Sequence, residues 1–367
     1  MVATTTTAGE STELQLFRST FPNVQDALLP IGWLWTWFTR RFSFLGRQWN
    51  NGNEPQAVTL VEGIVYGEGP RFRFQNRSVY FVDMLGKKLF RYDTRTSKSE
   101  VVQTFDEYVS GLGWLADGRL LIVAMTSRRL LALDEATKIV EPYADISAVT
   151  KYRANDMVVS ASGHAYVGNF GFDFSAMNEF TLTTVVRVDP DRAVHVEATN
   201  MFFPNGSVIT PDGKTLIVAE TFAGQLTAFD IQKDGSLTNR RVWANVGAPS
   251  DGICLDAEGC VWVSVPQVGM YTSTGGALIR VREGGEIVNL YGFGQNNIKN
   301  GVFACQLGTD DKGRHLLFFL EALSSEEHLV LRNGREAAKR NCCFRSIEVS
   351  VGPALMEGNP NYCGGYC

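Results

Sequence analysis

Residues 205–230 read NGSVITPDGKTLIVAETFAGQLTAFD, and this stretch decides the fold. Asn205-Gly206 opens a short β-branched run, Ser207-Val208-Ile209, and Pro211-Asp212-Gly213-Lys214 is turn chemistry. Thr215 to Ala219 alternates as a strand, and Gln225 to Asp230 is another that ends on an acid. Asp-Gly between β-branched runs is a strong short-range signal for two antiparallel strands. Three strands in so few residues cannot bury their faces alone, so further copies of the unit are expected along the chain.

They are present. The first copy runs Glu68-Gly69-Pro70, Ser78 to Asp83, and Lys88 to Asp93. The second has Ser110 to Trp114, Asp117-Gly118, Leu120 to Ala124, and Leu130 to Asp134. The third has Asn155 to Val159, Ser162-Gly163, His164 to Gly168, and Val185 to Asp189. After the copy quoted above come Asp251 to Leu255, Glu258-Gly259, Cys260 to Val265 and Ala277 to Arg282. A sixth, looser copy has Asn300 to Ala304, Asp311-Lys312-Gly313, Leu316 to Leu320, and Phe344 to Val349. The starts lie about 40–50 residues apart, the length of a four-stranded propeller blade. The chain therefore reads as an all-β, six-bladed β-propeller with four-stranded blades over 58–352. An N-terminal extension over 1–57 is expected to pack on the propeller's side, and 353–367 is a tail. Ala57 to Val65 is expected to pair with the last strands and close the ring. Short helices are expected only at Asn23 to Leu29 and Glu326 to Lys339.

The 367 residues carry a formal net charge of −5, with acids and bases intermixed. No basic stripe marks a nucleic-acid partner. The apolar stretch Ala27 to Phe38 is broken by Pro30 and Gly32 and is too short to span a bilayer. The polar start, Met1 to Thr12, lacks the layout of a secretory signal, so a cytoplasmic protein is expected. Of the seven cysteines, Cys254, Cys260 and Cys305 fall in apolar strands and read as core thiols. Cys342, Cys343, Cys363 and Cys367 have no partner set that completes a zinc site, and all seven are expected reduced.

Rotation about the propeller axis brings the first residue of every inner strand to the same end of the central channel. Those residues are Glu68, Ser110, Asn155, Asn205, Asp251 and Asn300. All six are polar oxygen donors. Asn and Asp are ordinary turn residues, but Glu68 is not. Carboxylates and amides converging without Cys or His suit one hard divalent cation, Ca²⁺ first and Mg²⁺, Mn²⁺ or Zn²⁺ as alternatives. The four histidines, His164, His195, His315 and His328, are out of this phase.

Four ordered motifs carry a resemblance: Glu68-Gly69-Pro70; Arg153-Ala154-Asn155-Asp156; Asn205-Gly206 followed by Pro211-Asp212-Gly213-Lys214; and Ser250-Asp251-Gly252. Ala304-Cys305-Gln306-Leu307-Gly308 adds a fifth. From about Val61 to Gly352 the chain resembles the gluconolactonase/regucalcin-like (senescence marker protein) family of six-bladed lactonases. The resemblance implies that Glu68, Asn205 and Asp251 bind the metal directly, with Asn155 beside it. It also implies that Asp251 is the general base, that Asn155 contacts substrate or water, and that Arg153 holds the substrate's oxygens.

The chain departs from the family pattern at Met157, where Gly is usual, and at Ser160 and Ser162, where an Asp is usual. Met157 is expected to bring an apolar side chain near the channel. With Phe170-Gly171-Phe172-Asp173-Phe174 at the mouth, it would favour a small-molecule lactone bearing apolar substituents over a sugar lactone. The expected function is metal-dependent hydrolysis of a lactone or similar cyclic ester. Two alternatives keep the fold: a metal-dependent isomerase, cyclase or lyase on an apolar metabolite, and a non-enzymatic calcium-binding propeller. Trp33, Trp35, Trp37 and Phe38 of the extension are expected to pack against the propeller.

Overall fold

The computed structural model describes residues 29–30, 56–173, 179–266, 275–293, 300–323 and 342–355. Six four-stranded antiparallel sheets stand in a ring. Blade one is Gly67–Arg73, Ser78–Asp83, Lys88–Asp93 and Lys98–Thr104. Blade two is Val109–Trp114, Leu120–Ala124, Arg129–Leu133 and Val140–Asp145. Blade three is Ala154–Val159, Ala165–Asn169, Thr183–Val188 and Val194–Met201. Blade four is Pro204–Ile209, Thr215–Glu220, Gln225–Ile231 and Leu237–Asn245. Blade five is Ile253–Leu255, Val261–Val265, Ala277–Val281 and Ile287–Gly292. Blade six takes Asn300–Thr309, His315–Leu323 and Cys342–Glu348 from the end of the chain, and its outermost strand, Val58–Ile64, from the beginning.

The expected closure is therefore present: Val58 pairs with Ser346 and Ile64 with Cys342. The inner strands touch their neighbours in order around the ring, and that of blade six touches that of blade one. Their residues are buried almost throughout, whereas the outermost strand Lys98–Thr104 of blade one is mostly exposed. Among the described residues there is no helix. The stretch 326–339 lies outside them, as does all of 23–29 except Leu29.

A shared irregularity aims the inner strands. Each of four carries one extra residue relative to its partner strand: between Glu68 and Arg71, Val109 and Leu112, Ala154 and Met157, and Pro204 and Ser207. Such a bulge locally re-aims side chains. It falls where the ring of polar residues begins, and the residue after each ring member is Gly69, Gly111, Gly206, Gly252 or Gly301 in five blades. These glycines let neighbouring inner strands approach. A Cβ on Gly206 would stand 2.6 Å from the Asp251 carbonyl oxygen and 2.6 Å from the Ile253 nitrogen. In blade three the corresponding residue is Asp156.

The same bulge corrects the expectation for Met157. Its side chain is fully buried in the apolar core beside Leu112, Val159 and Val167 rather than at the channel mouth. Residues 352–355 lie along blade five, where Asp256 bridges Pro353 and Ala354 is buried. Leu29–Pro30 pair with Glu179–Phe180, within the connection between the second and third strands of blade three. That connection is at the same end of the propeller as the ring of polar residues, because it follows the strand antiparallel to Ala154–Val159. The Trp33 to Phe38 segment lies outside the described residues.

Candidate metal and catalytic site

The starts of the inner strands of blades one, three, four and five supply the donors. Glu68 is half-buried on blade one, while Asn155 and Asn205 are buried on blades three and four. Asp251 precedes its short strand but continues the ladder, its N–H donating to the Ser264 carbonyl at 2.9 Å. The Asn155 amide donates to Asn205 Oδ1 at 2.9 Å, and the Asn205 amide donates to the Thr221 hydroxyl at 3.2 Å and contacts the Asp251 carboxylate. Ser110 holds Asn155 in turn, its hydroxyl donating to the Asn155 carbonyl at 2.7 Å. Asn300 opens the inner strand of blade six.

Four of the sequence-assigned residues thus come together: Glu68, Asn155, Asn205 and Asp251. Burial pushes the carboxyls of both Glu68 and Asp251 well above the ordinary range. Glu68 is raised further by Asp251 and Asp156, and Asp251 by Asp156. Two carboxyls in one buried site disfavour each other's charged form unless a cation lies between them. Asp251 Oδ1 is buried with no hydrogen-bond partner among the described residues. An orphaned carboxylate oxygen is costly there, and a bound cation would satisfy it. The donor set is hard oxygen throughout, which fits Ca²⁺, Mg²⁺ or Mn²⁺ better than a soft metal. Among the described residues no three His, Cys, Asp or Glu side chains converge as metal ligands. The fit therefore rests on two carboxylates completed by two amides.

Arg153, two residues ahead of Asn155, stands at the mouth with its guanidinium over the Tyr108 ring at 5.1 Å. Tyr108 is likewise two residues ahead of Ser110, and Tyr66 two ahead of Glu68. Tyr66 packs on Phe303 at 4.8 Å, and burial followed by the nearby charges of Glu68 and Asp251 pushes its phenol well up. Phe170 and Phe172 are buried and pack with Phe203 at 4.6 and 5.3 Å. Phe174 lies outside the described residues.

Sequence reasoning missed two participants. Thr221 anchors Asn205 from the neighbouring strand. Arg71, buried on the inner strand of blade one, donates to Asp156 and to the Met157 carbonyl at 2.6 Å. An arginine three residues after Glu68, on a strand otherwise built for burial, was the available signal. His164, just before the second strand of blade three, and His195, on its outermost strand, both face Asp189; His315 pairs with Thr309 at the end of blade six away from Asn300, and His328 lies outside the described residues. Cys254, Cys260, Cys305 and Cys342 are buried free thiols and Cys343 is half-buried and free, while Cys363 and Cys367 lie outside the described residues. Among the described residues no helix is long and apolar enough to cross a membrane.

Comparison with known proteins agrees with the propeller fold. Regucalcin from Danio rerio is 25% identical over 203 residues, covering 54% of this chain and 67% of that protein. Among solved structures, a luciferin-regenerating enzyme superposes with a TM-score of 0.65 at 17% identity, covering 82% of this chain and 99% of the other. A calcium-binding protein, regucalcin from Agrobacterium tumefaciens, gives a TM-score of 0.64 at 19% identity, covering 83% and 97%. At those identities the structures support the fold alone. The profile of the SMP-30/Gluconolactonase/LRE-like region matches residues 66–311, from the lead-in of the first inner strand to the turn after the sixth. The chain belongs to the SMP-30/gluconolactonase/LRE-like family.

Proposed function

We propose that the protein is a metal-dependent lactonase, with Glu68, Asn205 and Asp251 holding one divalent cation and Asn155 beside it. The observation that carries this reading is the unpartnered, buried Asp251 Oδ1 among the oxygen donors of Glu68, Asn155 and Asn205. Calcium is the first choice, in keeping with the ligand chemistry and with the calcium-binding relative. Family membership supports a small-molecule cyclic ester as substrate.

A bound cation would supply Lewis-acid polarisation of the ester carbonyl and charge stabilisation. The Asp251 carboxylate takes a proton from water as that water's oxygen bonds to the carbonyl carbon. The ring C–O bond then breaks and the departing oxygen receives a proton, so one water is added across the ester. Asn155, fixed by Ser110 and Asn205, orients the water or the carbonyl, and Arg153 steadies the substrate's outer oxygens. With Met157 in the core, preference for apolar or aromatic substituents rests on Tyr66 and Tyr108 at the mouth. The buried free thiols suit a reducing compartment such as the cytoplasm.

Ring opening followed by pH-stat, on aromatic, alkyl and sugar lactones with and without chelator, tests the reading. Turnover should be lost with chelator and restored by calcium. Asp251→Asn should fall by roughly 10²–10⁴-fold or more even in excess metal. Chelator-insensitive turnover would remove the metal mechanism, and inactivity on every lactone would favour the isomerase or calcium-binding alternatives.

A further inference from the structure

The residue that follows each ring member is glycine in five blades and Asp156 in the sixth case, blade three. Its carboxylate is fully engaged. Oδ1 accepts from Arg71 Nη2 at 3.2 Å and from the Met157 N–H at 2.9 Å, and Oδ2 lies 3.4 Å from the same Arg71 nitrogen. Arg71 reaches this partner past the inner strand of blade two, where Gly111 and Gly113 carry no side chain. Its other terminal nitrogen donates to its neighbour's carbonyl, Pro70 O, at 2.9 Å, and both side chains of the pair are buried. A pair held this deep, with these extra hydrogen bonds, has a fixed geometry.

We infer that Arg71 is a positioning residue of the metal site: it ties Asp156 back from the ligand ring and sets the charge that the cation meets. This rests on the metal-site reading above. Asp156 directly follows Asn155 on the inner strand of blade three, and Arg71 lies three residues beyond Glu68 on that of blade one, so the buried pair joins two strands that each carry a ring residue. With Arg71 in place, the ring presents the two charges of Glu68 and Asp251, and the third acid is neutralised by its partner. Without it, Asp156 becomes an uncompensated third negative charge beside the site. Ligand charge count is a principal determinant of calcium affinity. A tighter third carboxylate would also occupy space that a substrate carbonyl needs. Arg71 thus keeps the site at a charge suited to holding a cation while leaving room beside it.

The test is calorimetric titration of the chelator-treated full chain with calcium chloride alone, without substrate. Arg71→Met should tighten calcium binding by ~10-fold or more, and Asp156→Asn should weaken it by a similar factor, because the Arg71 guanidinium is then left uncompensated beside the site. The double variant should return toward the wild-type affinity, and Arg71→Lys should stay near it. Should Arg71→Met fail to fold, the weakening in Asp156→Asn still decides the matter. Unchanged calcium affinity in the folded variants, with only a lower unfolding temperature, would make the pair a packing element and overturn the inference. No divalent-ion binding by the wild-type protein would instead overturn the metal-site reading itself.

Discussion

Blades three and four begin their inner strands alike and then diverge. Each presents an asparagine, Asn155 or Asn205, to the same end of the channel over the same kind of bulge. Blade four continues with Gly206, which lets the backbone of blade five close in, whereas blade three continues with Asp156, gripped by Arg71 from two blades away. The first shared residue belongs to the repeat, and its position follows from ring symmetry. The second is where the repeat stops being uniform, and the charge of the site is written there.

The harshest way to break this comparison is to give blade four a side chain at the glycine position. Gly206→Ala should lose about 3 kcal/mol or more, because the added carbon meets backbone atoms that cannot rotate away. Urea unfolding measures it, and a loss below about 1 kcal/mol would mean that the inner strands part easily.

A milder perturbation is pH. The carboxyls of Glu68 and Asp251 are raised above their ordinary values of 4.5 and 3.8. In metal-free protein, this contribution to stability is fully present below that ordinary range and lost as pH rises through the raised values. On the proposed reading calcium would bind the charged forms, so its stabilisation should be largest near neutral pH and vanish in the acid range, with proton release on binding. Melting scans with and without calcium across that range are the measurement. A calcium effect of equal size at acid and neutral pH would separate the ion from these carboxylates. The smallest expected effect is Met157→Leu. It should cost less than about 1.5 kcal/mol and leave the preference among lactones unchanged, because this side chain packs in the core and does not face substrate. A shifted substrate profile would return Met157 to the site.

The fold was readable because six copies of one pattern leave few arrangements, and Glu68, Asn205 and Asp251 were readable because they share a phase within it. Met157 was expected near the channel because it stands where the family usually has Gly, directly after Asn155-Asp156. One inserted residue reverses the facing of everything beyond it, and no local feature of Asn155-Asp156-Met157 announces the insertion. Arg71 was missed for a different reason. Its partner is 85 residues away on a non-adjacent blade, and pairing at that range leaves no trace in sequence spacing. Thr221 likewise acts through a neighbouring strand, at a position whose side chain could equally have faced solvent.

The outermost strand of blade six comes from Val58–Ile64, just ahead of Glu68, and its pairing partner Cys342–Glu348 lies at the far end of the described chain. During synthesis the early strand emerges first and must wait for almost the whole propeller before it has a partner. At roughly 5–20 residues per second that wait lasts tens of seconds, with an apolar strand edge exposed throughout. Glu68 and Asp251 are likewise made far apart in time, so a cation held as proposed would find its complete set of oxygens only as the ring shuts. Ion capture and ring closure would then be one event, and a nascent chain truncated before Cys342 is expected to show neither.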